Sequence, residues 1–221
     1  MKLFLHMPKC GGTSVLQALE AASDVEIVRD YNSFFKIPLP VRAGVIKASL
    51  NNNTPHTSDA IIYGHFFPIK YCHGRPHPDA NMVTIIRDPV RRLISHYNYW
   101  KSGSFPDHYL WNKMMENNWN FNDFAFCEEM QNIYSQYFYG IDVESFSYIG
   151  TFENLVGSFQ SCCRTLGVDA RHIVLDHCNK TMANEDIHMD KYTLQKLQAF
   201  HADDYAIYNY ARRRFRHLDA A

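Results

Sequence analysis

Lys2-Leu3-Phe4-Leu5-His6-Met7-Pro8-Lys9-Cys10-Gly11-Gly12-Thr13-Ser14 is an apolar run that breaks into a lysine, a cysteine and two glycines before an alanine- and leucine-bearing segment. The pattern predicts a strand, a tight loop and the start of a helix. Gly11 and Gly12 allow close approach of the backbone to a ligand, and a helix start offers unpaired N–H groups at a positive dipole end. Lys9 adds a charge, and Thr13 and Ser14 add hydroxyls. In a Walker A loop the lysine follows the glycines and directly precedes the hydroxyl residue. Here Lys9 comes before them, which argues against a standard Mg-nucleotide hydrolase and asks for another phosphate-bearing ligand. The plainer alternative for the glycine pair is a tight turn with no ligand.

Three further strands follow the same grammar. Residues 82–86 are a short β-branched run ended by Arg87-Asp88-Pro89, and residues 90–100 then carry helical periodicity. Asp88 suits the N-cap and Pro89 the first helical position. Residues 60–63 run into Gly64-His65, and residues 147–150 precede a helix over 155–166 that Gly167 would cap. Strands alternating with helices predict an α/β, P-loop-like three-layer fold, a central parallel sheet flanked by helices. Ligands in such sheets collect beyond the carboxyl ends of the strands, which puts Lys9, His65 and Arg87 on one rim. The stretch 102–139 is helical and aromatic, with Trp111, Trp119, Phe121, Phe124 and Phe126 expected in the core. Residues 191–217 read as one or two helices, Asp203 a candidate cap and Arg212, Arg213, Arg214 and Arg216 a solvated face.

With 221 residues and 46% hydrophobic content, a single domain over 1–221 is expected. A net charge of −1 gives no support for a general nucleic-acid or membrane-surface binder, so any anion site must be local. No apolar run reaches membrane-spanning length, and the chain reads as cytoplasmic. The six cysteines form no C-x-x-C pair and read as reduced thiols. His56, Cys72, His73 and His77 match no zinc spacing and read as polar loop, so no metal is expected.

Two phosphate-friendly junctions suggest a nucleoside ligand with phosphates at both ends, Arg87 and Ser95 serving the second. 3′-Phosphoadenosine 5′-phosphosulfate (PAPS) is such a molecule. His6-Met7-Pro8-Lys9-Cys10-Gly11-Gly12-Thr13-Ser14 resembles the 5′-phosphosulfate loop of the sulfotransferases, especially the carbohydrate O-sulfotransferases with their His-x-Pro-Lys-x-Gly-Gly-Thr-Ser pattern. The segment from Ile85 to Tyr97 is similar to their 3′-phosphate motif. More weakly, Gly64-His65 resembles the segment bearing the catalytic base in the heparan sulfate/uronyl 2-O branch. Gln131 to Tyr137 resembles a segment near the acceptor. Thr151-Phe152-Glu153-Asn154-Leu155 and Asn179-Lys180-Thr181 fall where the family has a Glu-bearing strand end and a loop over the nucleotide.

The resemblance implies a PAPS-dependent O-sulfotransferase. Lys9, Cys10, Gly11, Gly12, Thr13, Ser14, Arg87, Ser95 and Lys180 would bind the donor; independently, Arg92 lies three residues before Ser95 on the same helical face and is a reserve candidate for the 3′-phosphate. Lys9 would steady the leaving oxygen and His65 would be the general base. The acceptor would be a hydroxyl of a carbohydrate or glycosylated small molecule. Two departures stand out: Cys10 occupies a place where the family often has threonine, and the family's luminal disulfides and Golgi anchor are not read here. The competing functions are a P-loop kinase using Mg-ATP and a catalytically silent nucleotide-binding module.

Overall fold

A computed structural model describes residues 1–21, 25–31, 34–49, 59–72, 80–170, 172–173, 175 and 187–215. In chain order its strands and helices are β1 (Lys2–Leu5), α1 (Gly12–Glu20), β2 (Ile27–Arg29), α2 (Leu39–Ser49), β3 (Ile61–Gly64), α3 (Ile69–Cys72), β4 (Asn81–Ile86) and α4 (Pro89–Ser102). There follow α5 (Tyr109–Glu116), α6 (Phe121–Ala125), α7 (Ile133–Tyr137), β5 (Tyr148–Thr151), α8 (Leu155–Leu166), α9 (Lys191–Phe200) and α10 (Ala202–Phe215).

The five strands form one parallel sheet in the order β2-β3-β1-β4-β5. This is the α/β architecture that the sequence predicts. Strands covered on both faces need apolar residues at consecutive positions, and Leu3, Phe4, Leu5, Ile61, Ile62, Val83, Ile85 and Ile86 are all buried. Thr84 is the one buried polar residue of β4; its hydroxyl donates to the Leu5 carbonyl at 2.7 Å, across the Leu5–Thr84 register pair. From β1 the chain moves to one side of the sheet and from β4 to the other. Right-handed crossovers then send α1 and α4 to opposite faces, opening a crevice at the ends of β1 and β4. α8 packs on β4 and β5 and meets the start of α1, where Leu155 and Phe152 lie against Gly11.

Local signals act as read. Asp88 caps α4 by accepting the Arg91 N–H at 3.0 Å, Pro89 is its first residue, and Gly167 closes α8 at φ 69°. Phe121 and Phe124 are buried, while Trp111, Trp119 and Phe126 pack partly buried on the same core. The last segment is two helices. Asp190 caps α9, and Asp203 lies within the first turn of α10 instead of capping it, its carboxylate accepting from the Asn132 amide at 3.0 Å. Cys10, Cys72, Cys127, Cys162 and Cys163 are free thiols. Among the described residues no helix is long and apolar enough to cross a membrane, and no group of three or more His, Cys, Asp or Glu could hold a metal.

Replacing Thr84 by valine removes the buried hydroxyl at nearly constant shape and leaves the Leu5 carbonyl short of one donor. Unfolding free energy is expected to fall by about 1 kcal/mol with an unchanged denaturant slope, measured by urea titration.

Candidate functional site

The loop after β1 is built on a turn from Met7 to Cys10, closed by the Cys10 N–H donating to the Met7 carbonyl at 3.3 Å. Pro8 takes the second position, for which its fixed φ is suited, and Lys9 the third at φ 65°. That left-handed conformation costs a lysine about 1–2 kcal/mol, a strain that survives where the surroundings over-determine it. Here the surroundings are the turn and the exposed Tyr99 ring, over which the Lys9 Nζ lies 3.7 Å from the centroid.

Gly11 follows at φ 83° as the N-cap of α1, with no side chain to bond the first-turn N–H groups. Helix geometry leaves the N–H groups of Gly12, Thr13 and Ser14 without intrahelical acceptors. Gly12 has a separate reason to be glycine, because a Cβ there would overlap the His6 imidazole. The Thr13 side chain is exposed and that of Ser14 buried. Cys10, expected among the donor-binding residues, does not present itself to this space. Its N–H closes the turn, and its buried thiol faces the Pro8 carbonyl at 3.6 Å and the Tyr134 hydroxyl at 3.8 Å. Burial pushes that thiol up to about 11.

At the end of β3, His65 sits beside His6, their ring centroids 4.3 Å apart. His65 Nδ1 hydrogen-bonds the His6 carbonyl at 2.5 Å. A carbonyl only accepts, so Nδ1 carries the proton and Nε2 is left with its lone pair. Burial, above all, lowers the His65 pKa to about 4, against the raising effect of that hydrogen bond, and the ring is neutral near pH 7. Tyr31 stands edge-on to it at 5.1 Å and bonds His6 Nδ1 at 3.3 Å.

At the end of β4, Arg87 lays its guanidinium over the Phe152 ring, 4.3 Å from the centroid. Asp88 is not its ion-pair partner, being used to cap α4. Neither Arg87 nor Lys9 has a carboxylate within ion-pair distance among the described residues, and the buried Nε of Arg87 has no hydrogen-bond partner. Burial first, and then the Arg87 charge, lower Lys9 to about 8. The loops after the neighbouring strands β1 and β4 thus each carry a cation, and the two repel.

Ser95 lies half-buried on α4, about two turns past Arg87. It shares a face with Tyr99, four residues on, and that face meets Lys9. Its hydroxyl makes no hydrogen bond among the described residues. Arg92 is different from what its spacing suggests: it is 1% exposed and lies within the core, bonded to His96 Nδ1 at 3.3 Å. Lys180, with Asn179 and Thr181, falls outside the described residues, as do His56, His73 and His77. Tyr99 and Tyr134 are the site residues that sequence reading did not assign. Tyr99 had a weak signal in its four-residue spacing from Ser95, and Tyr134 lay within the Gln131–Tyr137 segment that resembles one near the acceptor, with nothing to single it out there.

Gly12→Ala is expected to destabilise the fold by about 1–3 kcal/mol through overlap with His6, and His6→Ala combined with it to recover at least about 1 kcal/mol of the loss. A double-mutant cycle of urea midpoints checks this coupling.

No family model matches the chain, and neither does any curated protein. Among solved structures, the chain is similar to a sulfotransferase from Alicyclobacillus acidocaldarius, with a TM-score of 0.50 and 17% sequence identity over 93% of this chain and 92% of that one. At that identity the likeness is one of fold and does not single out the uronyl 2-O branch: the chain has the α/β fold of that sulfotransferase, a central parallel sheet flanked by helices.

Proposed function

We propose that the protein transfers a sulfuryl group from PAPS to an acceptor hydroxyl. One observation carries the reading: Lys9 and Arg87, in the loops after the neighbouring strands β1 and β4, have no carboxylate partner among the described residues, beside an uncapped helix start. Like charges held together at partial burial are unfavourable unless an anion joins them. Two cations on two loops suit a ligand with an anionic group at each end.

In this reading the first-turn N–H groups of α1 and the Thr13 hydroxyl hold the 5′-phosphosulfate, and Arg87 and Ser95 hold the 3′-phosphate. The acceptor oxygen attacks sulfur as the bond from sulfur to the 5′-phosphate oxygen breaks in line. That oxygen keeps the electron pair, and Lys9 stabilises the charge developing on it. The hydroxyl proton passes to Nε2 of His65, the ring nitrogen that the His6 carbonyl leaves unprotonated. A saccharide or glycosylated small molecule is the acceptor class that the family resemblance favours. A kinase using Mg-ATP fits less well, because Lys9 precedes the glycines and Arg87 supplies a second anion site.

3′-Phosphoadenosine 5′-phosphate (PAP) is expected to raise the melting temperature well above the effect of Mg-ATP at equal concentration, by about 2.7 kcal/mol of stabilisation at a hundredfold excess over Kd. Equal or greater stabilisation by Mg-ATP overturns the donor assignment. His65→Ala is expected to keep PAP affinity within about twofold and to lower sulfate transfer by about 10²–10⁴-fold, followed with radiolabelled donor. His65 must be neutral and Lys9 charged, so kcat/KM is expected to rise with pH through about 4 and fall through about 8. Lys9→Met would remove the alkaline limb.

A further inference from the structure

Arg87 occupies the link between β4 and α4, where its backbone has neither a ladder nor a helical partner of its own. A buried N–H and C=O in that position must find partners elsewhere. Both are met by one atom. The Tyr134 hydroxyl donates to the Arg87 carbonyl at 2.6 Å and accepts the Arg87 N–H at 3.0 Å.

The same oxygen lies 3.8 Å from the Cys10 sulfur in the other loop. A phenol has one proton and two lone pairs, and here the proton goes to Arg87, one lone pair takes the Arg87 N–H, and the other faces the thiol. Tyr134 is fully buried and comes from α7, which follows both loops in the chain. α7 is itself anchored: the Tyr134 and Ser135 N–H groups donate to Asp204 Oδ1 at 2.9 and 3.2 Å, and Asp204 belongs to α10. The chain of contact therefore runs from α10 through α7 to the backbone that aims the guanidinium.

We infer that Tyr134 is a positioning residue for the 3′-phosphate, fixing the Arg87 backbone from which the guanidinium is aimed. The inference rests on the donor reading above. Its role passes through Arg87 alone at the ligand, so a ligand lacking the 3′-phosphate is indifferent to it.

The test measures the affinities of PAP and of adenosine 5′-monophosphate for the full chain by calorimetry, in the wild type and in Tyr134→Phe. Loss of the hydroxyl is expected to weaken PAP about tenfold and the monophosphate less than twofold, so that the ratio of the two affinities collapses. An equal loss for both ligands, or none for PAP, overturns the assignment. Where Tyr134→Phe does not fold, Asp204→Asn weakens the anchor of α7 and is expected to shift the same ratio about two- to threefold in the same sense; an unchanged ratio overturns the assignment there. A wild-type protein that binds the monophosphate as well as PAP instead overturns the donor reading, which separates the two failures.

Discussion

Everything at the site depends on two parallel strands, β1 and β4, being hydrogen-bonded neighbours whose exits turn to opposite faces. The Leu5–Thr84 register and the Thr84 hydroxyl on the Leu5 carbonyl set where each exit begins. From those two points the chain leads into the loops that carry Lys9 and Arg87. Each cation rests on an aromatic face, Tyr99 for one and Phe152 for the other. An aromatic face steadies a cation by about 0.5–2 kcal/mol without cancelling its charge, whereas a carboxylate would hold it and neutralise it as well. The arrangement keeps the potential of the crevice positive while restricting where the charges can go.

A second layer of polar groups lies beneath. Arg92 is 1% exposed, with His96 as its bonded neighbour and its Nε without a partner, and Asp204 is equally buried with Oδ2 unpartnered. Burial raises Asp204 to about 7 even though Arg92 and two backbone N–H groups pull it down. Burial, and then the Arg92 charge, hold His96 well below its usual range. A charged guanidinium at that depth costs several kcal/mol. It adds a third positive centre, and its field offsets only part of the burial that pushes the Cys10 thiol up.

The sequence made the architecture legible wherever one local rule settled the outcome. Asp88-Pro89 announced a helix start, Gly167 a helix end, and the apolar runs the buried strands, all within a residue or two of the observed bounds. The edge strand β2 was not legible, because Ile27, Val28 and Arg29 are three residues that pack little and carry no alternation. The positions of Lys9, His65 and Arg87 just past the ends of β1, β3 and β4 were readable because the apolar runs before them mark where each strand stops. Arg92 was misread since helical spacing reports a shared face and not its depth. Cys10 was expected among the donor-binding residues, but the sequence did not reveal that the turn takes its N–H and the core its thiol. Tyr134 and Tyr99 act over separations of 124 and 90 residues from the loop they support, and no local pattern encodes a contact of that span.

The central place of β1 has a consequence for how the chain acquires its fold. Its two sheet neighbours, β3 and β4, begin at Ile61 and Asn81, and the carboxylate that anchors α7 comes only at Asp204. During synthesis from the amino end, the strained Lys9 turn emerges long before anything that can hold it. Contacts of this span close slowly, since loop entropy must be met before they form. A nascent chain halted before α10 would hold the Lys9 turn, His65 and Arg87 yet lack the carboxylate that anchors α7.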